Sequence, residues 1–175
     1  MKIAFVVNDV DTEHPRATST LLAHTAHQRG HEVFLVGVGE LTCRPDNHVT
    51  DTARVPRGKP RRPDTFLATV QGAEAERAVF ATDDLDVLWL RYNPAEAVAD
   101  TAWARHAGFH FGELALRKGV PLLNHPYTLH YAINKMYLQH FPESVRPRSI
   151  VTRSAEEIRA FYEENGQRIV IKPLE

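Results

Sequence analysis

Cysteine is almost absent from the 175-residue sequence, and Cys43 is the single one. One thiol cannot form an internal disulfide, which fits a reducing compartment, and nothing around Cys43 suggests a nucleophile. Long hydrophobic runs are also missing. No stretch approaches the roughly 20 apolar residues that cross a bilayer, and the apolar opening, residues 1–8, is too short for the core of a signal peptide. We therefore expect a cytoplasmic protein without a membrane partner.

Neither sign of charge dominates. The sequence has 21 Lys and Arg against 22 Asp and Glu, for a formal net charge of -1 and a pI near 6.8. Such a balance gives no global attraction to nucleic acid, so no nucleic-acid partner is expected. With 43% hydrophobic and 25% charged residues, the composition is that of an ordinary globular protein. The length suits one core and a small second lobe.

Glycine is missing where a dinucleotide-binding protein needs it. The apolar run Ile3–Val7 predicts a buried first strand, and the turn after it, residues 8–15, contains no glycine and three acidic residues. Those carboxylates would repel a pyrophosphate, which disfavours an NAD or FAD domain. A Walker lysine loop is absent as well, so any ATP chemistry must use another scaffold.

The amino-terminal pattern indicates a βαβ unit. Apolar and small residues recur at helical spacing over residues 15–29, Gly30 is placed to end that helix, and residues 31–36 form a second strand. The crossover length favours parallel strands.

Residues 42–66 differ in character. Arginines, a lysine and prolines are interleaved in the basic stretch 54–63, which leaves little room for a helix or a central strand. We predict an exposed loop there, able to contact an acidic partner but more typical of a solvated segment.

Further along, strands and helices alternate again. The predicted strands are residues 86–90, 120–124, 149–151 and 168–172, and the predicted helices are residues 97–118, 131–140 and 154–164. Ser154 followed by Glu157 is a capping-box pattern, with Asn165-Gly166 as the stop. We place a domain boundary so that residues 1–124 form one domain and residues 125–175 begin another.

Short motifs in a fixed order suggest a family. The opening residues 1–6 with residues 29–33 are similar both to bacterial glutathione synthetases and to the first domain of nucleotide-sugar glycosyltransferases. The later motifs separate the two: Val87-Leu88-Trp89-Leu90-Arg91-Tyr92-Asn93-Pro94, Leu122-Leu123-Asn124-His125-Pro126, Asn134-Lys135 and Ile169-Val170-Ile171-Lys172-Pro173-Leu174. In this order and approximate spacing they resemble bacterial glutathione synthetase, an ATP-grasp ligase, over nearly the whole chain.

The resemblance implies a fold and an activity. The fold would be α/β, a Rossmann-like pre-ATP-grasp domain with a mostly parallel sheet flanked by helices, followed by the beginning of a small α+β ATP-grasp lobe. The activity would be ATP-dependent ligation of γ-glutamylcysteine, or a related acid, to glycine or another amine through an acyl phosphate. ATP and Mg²⁺ would be the cofactors, and the partner would be a small amino acid or dipeptide.

Four site residues follow from the same resemblance. Lys135 and Lys172 would contact the nucleotide phosphates, while Arg91 and Asn93 would bind the substrate. The alternatives from the residues alone are a solvated helix face for Lys135, an edge-strand charge for Lys172, and an ion pair of Arg91 with Asp83, Asp84 or Glu96.

The chain departs from the family in two turns. Tyr92-Asn93-Pro94 replaces a common lysine-aspartate-proline, and Asn8-Asp9-Val10 replaces a common aspartate-proline turn, which leaves the substrate open. The magnesium carboxylates and the glycine-rich flap normally follow the lysine-proline strand, so we expect them outside this chain and expect the 175 residues alone to be inactive. A truncated chain, a proteolytic fragment and a split protein with a second chain are the possible explanations, and truncation is preferred.

Two other functions stay open at this point, a glycosyltransferase amino-terminal domain and a non-catalytic binding or assembly domain. A homo-oligomer is compatible with each. The ten histidines do not predict a metal site, because neither His106, His110 and Glu113 nor His24, His27 and His31 has the second cluster of a zinc signature. We interpret them as surface histidines on amphipathic helices.

Overall fold

The computed structural model describes residues 1–96, 103–104 and 106–174. It divides into two compact units, Met1–His130 and Tyr131–Glu175. The predicted helix 97–118 lies partly outside the described residues. Its described part is α3, Ala107–Arg117.

A mixed sheet forms the centre of the first unit. Strand β1 (Lys2–Val7) lies between β2 (Glu32–Gly37) and β6 (Val87–Leu90) and is parallel to both, and β7 (Leu122–Leu123) is parallel to β6. Residues 3–7 are all buried, as expected of a parallel strand that is covered on both faces. These four strands confirm the βαβ unit and the strand leading to Arg91.

The other half of the sheet is antiparallel. Strand β4 (Val49–Arg54) pairs antiparallel with β2, with β3 (Thr42–Cys43) and with β5 (Arg77–Ala81). The prediction of a mostly parallel sheet is therefore correct only for the half built on β1.

The prediction of an exposed loop over residues 42–66 is wrong. Besides β3 and β4, this stretch contains the start of α2 (Pro63–Val70), whose first residue is a proline. Proline is tolerated there because the first helical N–H has no intrahelical partner. Pro56 and Pro60 lie in the connection between β4 and α2, so the prolines flank the elements and do not interrupt them.

Helices cover both faces of the sheet. Helix α1 (Thr18–Gln28) and α2 pack on the face that carries Phe5 and Leu35, while α3 packs on the opposite face against β6 and β7. The predicted helix stops are confirmed: Gly30 and Gly119 follow α1 and α3 with φ of 82° and 88°, values that favour glycine.

Two side chains expected at the surface are buried. Arg54 is 4% exposed, and its Nη2 lies 3.0 Å from Asp11 Oδ2 while its Nη1 donates to Val70 O at 3.3 Å. His24 is 8% exposed and its Nε2 lies 2.9 Å from Pro60 O. Arg54 ties the end of β4 to the loop after β1 and to the end of α2, while His24 holds the connection between β4 and α2 against α1. The interpretation of His24 as a surface histidine is therefore wrong.

The second unit is mostly helical. After α4 (Pro126–Ala132), which crosses the unit boundary, come 3-10 helices at Lys135–His140 and Glu143–Val145 and then α5 (Ala155–Glu164). The Ser154 hydroxyl accepts from Glu157 N at 3.3 Å, which confirms the predicted cap. Gly166, with φ of 65°, confirms the stop.

Three predicted elements differ in this unit. Residues 131–140 form the end of α4 and a 3-10 helix in place of one α-helix, because the Asn134 side chain accepts from Met136 N at 2.9 Å and caps a new turn. Residues 149–151 and 168–172 are not strands, since neither pairs with a partner strand among the described residues. In the part of the chain that the structure describes, no helix is both long and apolar enough to cross a membrane.

Candidate functional site

Arg91 lies at the carboxyl edge of the central strands. Its backbone N donates to Val6 O at 2.8 Å, which extends the β1–β6 ladder one step beyond Leu90. In open α/β sheets ligands bind beyond the carboxyl ends of the strands. Arg91 therefore lies at the edge of the sheet where this fold class commonly binds ligands.

Within the described residues, the Arg91 guanidinium forms no salt bridge, and its Nε has no hydrogen-bond acceptor. The side chain is half-buried, and its Nε is buried with no hydrogen-bond partner. The alternative ion pair is not found: within the described residues Arg91 has no carboxylate in salt-bridge range, and Asp83 pairs instead with His48 at 3.0 Å. A buried N–H without an acceptor is costly, and a bidentate carboxylate would satisfy it.

Asn93 is engaged in its own turn. Its Oδ1 accepts from Ala95 N at 3.2 Å and its Nδ2 donates to Glu96 Oε1 at 2.9 Å. The side chain is exposed beside Arg91, so substrate binding by Asn93 stays a prediction and would require exchanging one of these bonds.

Asn8 is a residue of this edge that sequence reasoning missed. Its Oδ1 accepts from Asn93 N at 2.5 Å and its Nδ2 donates to Asn93 O at 2.8 Å. Two sequence signals pointed to it, a turn former directly after a buried strand and a departure from the family's aspartate-proline turn, but neither indicates a bond to residue 93.

Packing behind Arg91 is tight. The Tyr92 ring is buried against Phe109, with ring centroids 5.2 Å apart, and burial raises the pKa of its hydroxyl. A Cβ on Gly108 would lie 2.5 Å from Tyr92 Cε1. On the other side of Arg91 in sequence, Trp89 stacks on Phe5 with centroids 5.3 Å apart. The backbone that carries Arg91 is therefore fixed by rings on both faces of the sheet.

The second unit contains a cavity of about 570 Å³, within the usual range for ligand pockets. Lys135 and Lys172 both line it, although 37 positions separate them in sequence. The backbone explains the approach, because Lys135 N donates to Leu174 O at 3.0 Å. This contact brings the start of the 3-10 helix next to the lysine-proline segment.

The cavity lining has the chemistry that a nucleotide needs. Apolar side chains from α5 and from the last described segment form one part, among them Ile158, Phe161 and Val170. Four cationic side chains also line the cavity, since Arg148 and Arg168 contribute to it together with the two lysines. Arg148 is paired with Glu164 at 3.4 Å, whereas both lysines are exposed and neither has a carboxylate within salt-bridge distance in the described part of the chain. Apolar walls suit a base and free ammonium groups suit phosphates.

The histidine sets do not assemble into a metal site. His110 Nδ1 lies 3.6 Å from Glu113 Oε2, but the His106 ring makes an edge-on contact with the His130 ring, with centroids 5.7 Å apart. His24 and His27 contact backbone carbonyls of the connection between β4 and α2. Across the described ranges no three side chains of His, Cys, Asp or Glu are grouped to hold a metal, magnesium included.

Family models match the chain end to end. Residues 1–130 match the model of the prokaryotic glutathione synthetase N-terminal domain, and residues 134–175 match the model of the prokaryotic glutathione synthetase ATP-grasp domain. The glycosyltransferase alternative is thereby excluded.

Curated relatives agree. A glutathione synthetase of Gloeobacter violaceus is 31% identical over the whole chain, which covers 52% of that protein, and one of Yersinia pestis is 28% identical over the whole chain and 51% of its own length. A glutathione synthetase of Vibrio vulnificus is 41% identical over 63 residues, which are 36% of the chain and 19% of the relative. The chain spans about half the length of the first two relatives.

Proposed function

Because this chain belongs to the prokaryotic glutathione synthetase family, we propose that it supplies the acid-binding domain and the first nucleotide-binding residues of an ATP-dependent carboxylate–amine ligase. Residues 1–124 would hold the acid and residues 125–175 would begin the lobe that holds ATP. γ-Glutamylcysteine is the proposed acid and glycine the proposed amine.

The single observation that carries this proposal is the shared cavity of Lys135 and Lys172. Two ammonium groups that carry no ion pair within the described residues, on one cavity with an apolar wall, suit a ligand with several phosphates and a flat base. ATP, when bound, supplies the phosphoryl group that activates a carboxylate. The task of the two lysines is to neutralise phosphate oxygens and to hold them in one position.

Arg91 has the complementary task at the sheet edge. A guanidinium with a buried, unpartnered Nε favours a planar anion that can accept two parallel N–H bonds. γ-Glutamylcysteine carries two carboxylates, one on its glutamyl part and one on its cysteinyl part. Arg91 would fix one of them and leave the other to react. Asn93 would add a polar contact beside it.

Magnesium needs carboxylate ligands that the described residues do not group together.

The experiment is a calorimetric titration of the protein with ATP, which measures the dissociation constant for ATP. Removing either ammonium, in Lys135→Ala or Lys172→Ala, should weaken binding by about tenfold or more, as for the loss of a charge-assisted phosphate contact. Lys59→Ala is the matched control, because Lys59 is exposed in the first unit and outside the cavity.

Equal affinity of all four proteins for ATP would refute the nucleotide site. The absence of any heat with ATP or γ-glutamylcysteine would favour the non-catalytic binding or assembly function instead.

A further inference from the structure

The β1–β6 ladder continues beyond the last strand residue through a side chain. In a parallel pair, alternate residues of one strand donate to the neighbour, so after Arg91 N to Val6 O the next donor is Asn93 N. Its acceptor is not a backbone carbonyl but Asn8 Oδ1, at 2.5 Å. The Asn8 amide then returns a second bond, from Nδ2 to Asn93 O at 2.8 Å.

This reciprocal pair has a consequence for Arg91. The segment 91–93 is held at its first residue by the Val6 carbonyl and at its last by the Asn8 side chain. Between the two, Tyr92 is anchored in the core. With both ends fixed, the backbone of Arg91 is held in place, and the side chain leaves it along one Cα–Cβ direction.

A side-chain amide suits this pair of bonds at residue 8. It combines an acceptor and a donor on one rigid plane, and it faces one backbone N–H and one backbone C=O of the same residue. A carboxylate would satisfy the N–H and repel the carbonyl, and an alanine would satisfy neither.

We infer that Asn8 is a positioning residue for the acid substrate: its side-chain amide holds residue 93 and thereby aims the Arg91 guanidinium at the substrate carboxylate. This inference rests on the proposed function of Arg91. The loss should appear in affinity more than in stability, because Asn93 is exposed and water can replace the two bonds.

The test uses the intact protein and γ-glutamylcysteine as the probe, with Asn8→Ala, Arg91→Lys and the double variant measured by calorimetry. Asn8→Ala should weaken binding about five- to tenfold, and Arg91→Lys should weaken it at least as much. In the Arg91→Lys background, Asn8→Ala should have little further effect. The matched control is Gln71→Ala, which removes bonds from a side-chain amide to Val10 O and Glu13 O of the loop after β1 without touching Asn93.

A second readout follows Arg91 itself. The Nε–H signal of Arg91 in a ¹⁵N–¹H spectrum, identified by its loss in Arg91→Lys, should shift or broaden in Asn8→Ala and stay unchanged in Gln71→Ala.

The outcomes separate the two claims. Unchanged binding in Arg91→Lys overturns the assignment of Arg91, and this inference with it. The positioning role alone is overturned if Arg91→Lys weakens binding but Asn8→Ala has its full effect in that background too. It is likewise overturned if Asn8→Ala and Gln71→Ala weaken binding equally.

Discussion

Asp51 is a carboxyl group that the fold does not accommodate as an anion. It is 3% exposed on β4, its Oδ1 accepts from Thr52 N at 2.5 Å, and its Oδ2 is buried without a partner. Burial, and to a lesser degree the charge of Glu40, raises the pKa of Asp51 to about 8 from an ordinary value of 3.8. The protonated form is therefore the native one at neutral pH.

The pH dependence of stability follows from this. The folded protein keeps a proton on Asp51 that the unfolded chain loses near pH 3.8, so the stabilisation is complete below that pH and is lost as the pH rises through about 8. The contribution of Asp51 to the free energy of unfolding should fall by up to about 1.4 kcal/mol per pH unit in this window. Urea unfolding measured between pH 4 and pH 9 gives that slope.

Asp51→Asn is the informative variant, because the amide keeps the acceptor for Thr52 N and has no charge to bury. It should flatten the slope and be more stable than the parent above pH 8, while Asp84→Asn, at an exposed carboxylate, should leave the slope in place. Parallel pH profiles of the parent and Asp51→Asn would contradict the protonated carboxyl.

Residues at the site were predictable to different degrees. The position of Arg91 followed from a strand that ends in a charge, and the lysines followed from the order of motifs. Asn8, Arg54 and Asp51 could not be predicted, because their roles depend on partners far along the chain: Asn93, Asp11 and the packing around β4. A polar residue in a polar stretch carries no sign of burial.

At the scale of elements, α3 packs closely against the segment after β6. A Cβ at Gly108 would lie 2.5 Å from Tyr92 Cε1 and 2.9 Å from Val38 Cγ2. Gly108 is thus needed for space, although glycine is a poor helix former.

Gly108→Ala should therefore destabilise the protein. Overpacking costs about 1–3 kcal/mol, more than the gain in helix propensity of up to about 1 kcal/mol. Thermal unfolding checks this. Gly39→Ala is the control, since its Cβ would meet Trp103 at an ordinary 3.7 Å and should change stability little. A Gly108→Ala protein as stable as the parent would show that α3 can move away from Tyr92.

Local signals predicted some elements well and others badly. The first βαβ unit and α5 follow from apolar periodicity, a glycine stop and a serine cap. Strand β4 was missed because charged residues interrupt its apolar pattern. Its buried face includes Asp51 as well as Val49 and Ala53, and its other face ends in the buried Arg54, so apolar and polar residues do not alternate as in a typical strand. The two predicted strands of the second unit have the right composition, but a strand also needs a neighbour, which a local pattern does not provide.

At the scale of the whole molecule, the proposed site residues are divided between two units. The first presents Arg91 at the edge of its sheet, and the second gathers Lys135 and Lys172 on one cavity. Each unit matches its own model of the same family, one of an N-terminal domain and one of an ATP-grasp domain. If the acid binds the first unit and ATP the second, as proposed, their affinities can be changed separately.

Steady-state ligation by an active ligase that contains these 175 residues tests this division most directly, with phosphate release measured while γ-glutamylcysteine and ATP are varied in turn. Lys172→Ala should raise KM for ATP about tenfold or more and leave KM for the acid within about twofold, and Arg91→Lys should do the reverse. The account is contradicted if each variant changes KM for ATP and KM for the acid alike. It is also contradicted if Arg91→Lys keeps the parent's KM for the acid.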